Sequence, residues 1–149
     1  MDRVKIIGMG NEDRQDDGIG IVIAQRMKAI VPPGVTVKIA RREALELLDF
    51  WKNANKVMVI DAVNGGGMVG KVYRFSVDKE PLPCEFSNYS THSFSLDQVI
   101  ELAKNLDQLP PELIIFGIQG KNFQVGRGIS KELERNIERV VSLISDEVK

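Results

Sequence analysis

The sequence predicts an α/β fold in which helices cover both faces of a parallel-rich sheet. Three observations support this prediction. Strand-like apolar runs alternate with segments of helical periodicity, the chain contains no internal repeat or low-complexity tract, and its longest apolar runs are nearly continuous, as in strands buried on both faces. The length of 149 residues fits a single domain spanning residues 1–149.

The first part of the chain predicts a strand, a helix and a second strand. Residues 3–9, "RVKIIGM", form a nearly continuous apolar run, which is typical of a buried parallel strand. Apolar residues recur at helical spacing over residues 18–30, and the following "VPPG" ends that helix because proline cannot continue it. The alternating segment 35–40 predicts the second strand.

The middle of the chain continues the alternation. Residues 43–53 predict a helix with Leu45, Leu48 and either Trp51 or Leu47 on its inner side. Residues 56–63, "KVMVIDAV", form the strongest buried strand, and residues 71–77 predict another. The connection between these two strands is short, which favours an antiparallel neighbour or an edge strand.

The last part of the chain begins with a long predicted loop over residues 78–94, which contains two prolines and a polar stretch. Loops of this length in compact domains are often functional. A helix over 95–106 with Ser95 as its cap, a buried strand over 110–120 and a glycine-containing loop over 121–129 follow. The chain closes with an amphipathic helix over 130–148, for which Ser130 is the expected cap.

Composition excludes several classes of function. The chain has 20 basic and 21 acidic residues and no dense basic run, so nucleic acid is not an expected partner. No apolar stretch approaches the roughly 20 residues of a membrane span. The single cysteine, Cys84, cannot form an internal disulfide, and the amino terminus shows no signal-peptide pattern. We therefore expect a cytoplasmic protein.

The turn between the first strand and the first helix, "GMGNEDRQDDGIG" (8–20), carries four carboxylates. The dinucleotide fingerprint requires glycine at its sixth position, where Asp13 stands. Like charges about 4 Å apart repel by about 4 kcal/mol, whereas the helix dipole contributes only about 0.3–1 kcal/mol, so the turn disfavours a phosphate unless a cation intervenes. Capping of a helix that begins near Gly18 explains Asp16 or Asp17, but not both.

Two further residues, Asp61 and His92, have side chains that can bind a metal ion. Asp61 ends an otherwise apolar strand, and His92 is the only histidine. We expect Asp17, Asp61 and His92 to converge where the carboxyl ends of the parallel strands meet. Two carboxylates and an imidazole form an incomplete coordination shell that suits zinc, nickel, iron or manganese. A turn-forming Asp61 and a structural His92 are the competing interpretations.

Hydrolysis without a bound metal is a further alternative. Asp17 and Asp61 could share a proton and activate water if they lie within a few ångströms of each other. A serine hydrolase is disfavoured because the chain lacks the G-x-S-x-G elbow.

The same stretches resemble those of the hydrogenase maturation endopeptidases. The turn over 8–20 resembles the signature of that family, "VIDAV" its second aspartate segment, and "STHSFSL" its histidine segment. "LPPELIIFGIQG" and the glycine-containing loop after it resemble the carboxyl-terminal half of the family. The resemblance therefore spans nearly the whole chain, with the segments in the expected order.

This resemblance implies a three-layer α/β/α sandwich around a mostly parallel five-stranded sheet. It also implies an aspartyl-type endopeptidase that removes the carboxyl-terminal extension from the large-subunit precursor of a [NiFe]-hydrogenase after nickel has been inserted. Nickel, supplied by the substrate protein, is the implied recognition element. Its implied contacts, which are also the implied catalytic residues, are Asp17, Asp61 and His92, with Asp16 supporting them.

Two segments depart from the family pattern. Asp13 stands where an apolar residue is common, and "ARREALE" (40–46) replaces a glycine-glycine-threonine segment. The second departure concerns the substrate more than the metal site. It motivates a hypothesis of a different class, a non-catalytic accessory module that binds a metal-bearing partner protein.

Smaller residues of the turn also have expected roles. The turn contains four glycines, Gly8, Gly10, Gly18 and Gly20. We expect them to make its backbone conformationally free and to let the substrate approach closely. We expect Asn11 to hold the loop through hydrogen bonds of its side chain.

Overall fold

A single five-stranded sheet forms the centre of the protein. The computed structural model describes residues 3–41, 43–77 and 95–148. The strands lie in the order β2-β1-β3-β5-β4, and all neighbours are parallel except β4, which is an antiparallel edge strand beside β5. The strands are β1 (Val4–Met9), β2 (Val35–Ala40), β3 (Lys56–Val63), β4 (Val72–Ser76) and β5 (Glu112–Gln119). The predicted mostly parallel sheet is confirmed, and of the two arrangements expected for the strand after β3 the structure has the edge strand, which pairs with β5 and not with β3.

Helices cover both faces of this sheet, which confirms the predicted three layers. The helices are α1 (Ile19–Lys28), α2 (Glu46–Phe50), α3 (Leu96–Asn105), α4 (Lys131–Glu134) and α5 (Ile137–Val148). Side chains alternate along β3, so that Val57 and Val59 join the core beneath α2 and α3, whereas Met58 and Ile60 join the core beneath α1, α4 and α5. Leu47 and Trp51, which the sequence offered as alternatives, are both buried in the first of these cores, and the helix predicted over 43–53 is limited to Glu46–Phe50.

The last helix differs from its prediction. The segment expected to form one helix over 130–148 is broken between α4 and α5. The side-chain amide of Asn136 donates to the carbonyl of Glu132 at 2.8 Å, while the Asn136 backbone N–H turns to the carbonyl of Leu133 at 2.9 Å. A side chain that competes for a helical carbonyl in this way interrupts the regular hydrogen-bond ladder.

The predicted loop 78–94, with His92 and Cys84, lies outside the described residues and stays a prediction. The longest helix in the described ranges, α5, has 12 residues, and none of the described helices is long and apolar enough to cross a bilayer. The predicted cap at Ser95 is confirmed, since Gln98 Oε1 accepts the Ser95 N–H at 2.9 Å in a capping box.

Candidate functional site

Three connections meet at the carboxyl edge of the parallel strands: the turn after β1, the loop after β3 and the loop after β5. The first and third are bonded to each other, because the Gln15 N–H donates to Gly126 O at 2.9 Å and the Gly126 N–H donates to Asp13 O at 2.8 Å. The turn after β1 is therefore a fixed part of this edge.

Two glycines of the turn serve the packing of α1 on the sheet. A Cβ added at Gly20 would lie 2.3 Å from Ile60 O and 2.5 Å from Met9 O, and one added at Gly8 would lie 2.2 Å from Gly20 O. The protein's own backbone fills the space at both positions, so the expectation that these two glycines admit the substrate is wrong. Gly10 has a φ of +152°, which favours glycine, so its expected backbone freedom is confirmed.

The two outer carboxylates of the turn are paired with arginines. Arg41 Nε donates to Glu12 Oε1 at 2.7 Å, and Arg127 Nε donates to Asp13 Oδ1 at 2.9 Å. Arg41 belongs to the segment 40–46 that departs from the family pattern, so that departure contacts the carboxylate turn directly. These pairs offset part of the negative charge at the rim of the site.

Asp16 is fully buried and ties the turn to the loop after β5. Its carboxylate accepts the backbone N–H groups of Lys121 at 2.7 Å, Asn122 at 3.1 Å and Ser130 at 2.7 Å, together with the Ser130 hydroxyl at 2.7 Å. The N-cap of α1 is Gly18, so the capping interpretation of Asp16 is wrong. Ser130 stands at the N-cap position of α4, but its hydroxyl bonds Asp16 instead of capping the helix.

Asp17 and Asp61 lie close enough that the charge of one acts on the other. Burial raises the pKa of Asp61 well above its ordinary value, the negative charge of Asp17 raises it further, and the Ala62 N–H, donated to Oδ1 at 2.8 Å, lowers it. Asp17 is 4% exposed, and its Oδ2 accepts the Asn11 N–H at 3.1 Å. Asn11 Oδ1 in turn accepts the Asp13 N–H at 2.9 Å, which confirms the expected role of its side chain.

The pair fits a divalent cation, although the described residues alone supply an incomplete shell. Carboxylate oxygens are suitable ligands, and a cation between two repelling carboxylates favours their ionised forms. Among residues 3–41, 43–77 and 95–148, no three side chains of the metal-binding types cluster together. His92, the third predicted ligand, lies outside those ranges.

Gln119 is a component of this edge that the sequence did not reveal. It is 2% exposed, its Oε1 accepts the Gly65 N–H at 2.8 Å, and its Nε2 donates to Gly120 O at 2.7 Å. The side chain thereby fixes the loop after β3 to the end of β5. The available signal was a polar residue that ends an apolar strand, the same feature that drew attention to Asp61.

Comparison with known proteins identifies the family. A family model described as hydrogenase maturation protease matches residues 21–147. The chain belongs to the hydrogenase maturation protease family. The match begins after the carboxylate turn, so it includes Asp61 but not Asp17.

Individual relatives of the maturation protease family agree with this result. The chain is 26% identical over 119 residues to HupD of Bradyrhizobium diazoefficiens, with 78% of the chain and 62% of the relative covered. HupD of Rhodobacter capsulatus is 28% identical over 120 residues, and 57% of its length is covered. The chain therefore spans less than two thirds of the length of each of these two relatives. The hydrogenase 2 maturation protease of Escherichia coli is 24% identical over 139 residues, with 91% and 84% covered.

Solved structures of maturation proteases share the fold. The maturating endopeptidase HybD of Escherichia coli superposes with a TM-score of 0.85 at 22% identity, covering 98% of this chain and 91% of that one. HycI of Thermococcus kodakarensis gives 0.74 at 24% identity, covering 99% and 92%. At these identities the likeness establishes the fold, which is the predicted α/β sandwich.

Proposed function

We propose that the chain is a cytoplasmic endopeptidase that removes the carboxyl-terminal extension from the large-subunit precursor of a [NiFe]-hydrogenase. Nickel carried by the precursor is the proposed recognition element. The observation that supports this proposal is the Asp17–Asp61 pair at the carboxyl edge of the sheet, in a chain of the maturation protease family.

The carboxyl group of Asp61 favours its protonated form in the absence of a cation. Asp61 holds its proton to a higher pH than an ordinary aspartate, because burial and the charge of Asp17 both raise its pKa. Asp17 Oδ2 accepts the Asn11 N–H at 3.1 Å, which holds the Asp17 side chain in place. Such a pair can accept a proton from an attacking water and donate one to a departing amine, as hydrolysis of a peptide bond requires.

The proposed ligands of the substrate's nickel are Asp17, Asp61 and His92. A divalent ion bound there would polarise the scissile carbonyl or a water. Asp16 and Gln119 are positioning residues. Asp16 fixes the turn that carries Asp17, and Gln119 fixes the loop that follows β3, the strand of Asp61.

The test is cleavage of a purified large-subunit precursor with and without nickel. We expect the loaded form to be shortened, the nickel-free form to stay intact, and Asp17→Ala and His92→Ala to abolish cleavage. Asp13→Ala is the matched control, because it removes a neighbouring carboxylate that is paired with Arg127 at the exposed rim. Equal cleavage of both forms would refute the role of nickel, and full activity of Asp17→Ala would refute the site.

The contact between Arg41 and Glu12 favours a second candidate function. It joins the segment that departs from the family pattern to the turn that carries Asp17. In this alternative the chain binds a metal-bearing partner without cutting it. Mass spectrometry of the partner separates the two candidates, because an unchanged mass in a stable complex supports the accessory module and a shortened partner excludes it.

A further inference from the structure

A groove with basic ends runs between the loop after β3 and the junction of α4 with α5. It consists of two cavities of about 480 Å³ and 530 Å³ that share Met68, Val69 and Asn136 as lining residues. We call it the Met68 groove; its other lining residues are Gly67, Lys71, Glu132, Arg135 and Arg139. Because the two cavities share three lining residues, they adjoin, and together they suit an extended occupant better than a compact one.

The walls of the Met68 groove are held together by specific contacts. Arg139 Nη2 donates to Gly70 O at 2.5 Å and to Asn136 Oδ1 at 2.9 Å. A Cβ added at Gly70 would lie 2.4 Å from Asn136 Cγ, so the loop and the helix junction are in close contact there. Because these contacts already order the groove, binding of a ligand costs little further conformational entropy.

Three basic side chains line the two ends of the groove. Arg135 is at one end, and Lys71 and Arg139 are at the other. Within the described part of the chain, none of the three forms an ion pair, whereas Glu132, the acidic lining residue, is paired with Lys121. The described lining is therefore positively charged, although the whole chain has a formal net charge of −1.

An apolar side chain lies between these cations. Met68 is 83% exposed and lines both cavities. Methionine adapts to apolar side chains of varied shape, which favours a peptide over a phosphate chain as the occupant. Charge and shape together match an extended acidic peptide that carries an apolar side chain between its carboxylates.

The groove continues from the strand that carries Asp61. Seven residues of fully extended chain span at most about 25 Å, so Met68 lies within that distance of Asp61. We propose that the Met68 groove binds an acidic, apolar-containing segment of the protein substrate, several residues from the bond that is cut. This proposal rests on the proposed protease function and adds a second contact that selects the substrate.

The test compares two double variants with matched changes of charge. Lys71→Glu/Arg135→Glu reverses a cation at each end of the groove. Lys28→Glu/Lys38→Glu reverses two exposed cations at the end of α1 and in β2, the edge strand opposite β4. With the nickel-loaded precursor, we expect the groove variant to raise KM at least about tenfold with kcat within about twofold, and the control to leave both unchanged.

The outcomes separate this proposal from the proposed function. If the groove variant has the same KM as the wild type, the groove proposal is refuted and the proposed protease function is unaffected. If the wild type cleaves no precursor, the proposed function fails. The groove is then tested by binding alone, measured as the fluorescence anisotropy of a fluorescein-labelled peptide of alternating glutamate and leucine. Salt-sensitive binding that the groove variant loses supports it. No binding, equal binding by the variant, or tighter binding of an oligothymidylate of equal charge overturns it.

Discussion

Asp16 bonds Ser130 twice: Oδ1 accepts the backbone N–H at 2.7 Å, and Oδ2 accepts the hydroxyl at 2.7 Å. Oδ2 also accepts the N–H groups of Lys121 and Asn122. The residue beside Asp17 therefore connects the first turn of the protein to the loop that precedes α4. The adjacent aspartates thus differ in role, and mutation of each should have a different consequence.

Asp16→Asn should destabilise the fold by about 2–4 kcal/mol, because an amide replaces one acceptor oxygen by a donor that faces backbone N–H groups. Unfolding in urea measures this loss. Ser130→Ala, which removes only the hydroxyl, should cost about 1 kcal/mol. If Asp16→Asn is no more destabilising than Ser130→Ala, the carboxylate is not the connection that the geometry indicates.

Asp61→Asn should stabilise the metal-free fold while lowering cleavage by about 10²–10⁴-fold. Since the folded-state pKa of Asp61 is raised above its unfolded value, the wild type is most stable below the unfolded pKa and loses stability as pH rises through the folded pKa. The asparagine variant does not titrate there, so its advantage in Tm should grow with pH. Thermal melts with a chelator from about pH 4 to pH 8 measure it; a constant difference would contradict the assignment.

Glu147→Gln should show the opposite pH dependence. Hydrogen bonds from Arg74 at 2.7 Å and Lys56 at 3.4 Å lower the pKa of Glu147. Its stabilisation is therefore present above the unfolded pKa and is lost as pH falls through the lowered one. Because partly exposed pairs contribute about 0.2–1 kcal/mol each, the variant should lose about 1 kcal/mol at neutral pH. Urea unfolding of the wild type and the variant from neutral to acidic pH measures the difference. If the variant is still less stable than the wild type in acid, the ion pairs are not its cause.

Gly20→Ala should be among the most damaging single changes, at about 2–3 kcal/mol, because the added methyl meets the carbonyl oxygens of Met9 and Ile60. Gly34→Ala is the matched control: its φ of +89° is strained for alanine, but nothing lies within 4 Å of the added methyl. The control should cost about 1 kcal/mol. Equal losses of unfolding free energy would show that α1 can shift away from the sheet.

Local sequence patterns predicted the sheet because each buried strand is a recognisable apolar run. The apolar runs of β1, β3 and β5 are long enough to identify without tertiary information, and the short connection after β3 favoured an antiparallel neighbour or an edge strand, the second of which β4 is. The same reasoning predicted that Asp61 lies near Asp17, because Asp17 follows β1 and Asp61 lies near the carboxyl end of β3.

Local patterns could not predict contacts between distant residues. Helical periodicity continues through Asn136, where a side-chain hydrogen bond breaks the helix. The sequence around Ser130 indicates a cap, yet a carboxylate from the first turn takes its hydroxyl. The roles of Gly8 and Gly20 depend on how closely α1 approaches the strands, which no local window of sequence contains.

The anchoring of Asp16 also determines when the site can be completed during synthesis. The partners of Asp16 at positions 121, 122 and 130 leave the ribosome more than a hundred residues after the turn. At typical elongation rates that interval lasts about 5–20 s. A nascent chain therefore carries its acidic turn without the backbone that holds it, and the proposed site can be completed only after residue 130 has emerged.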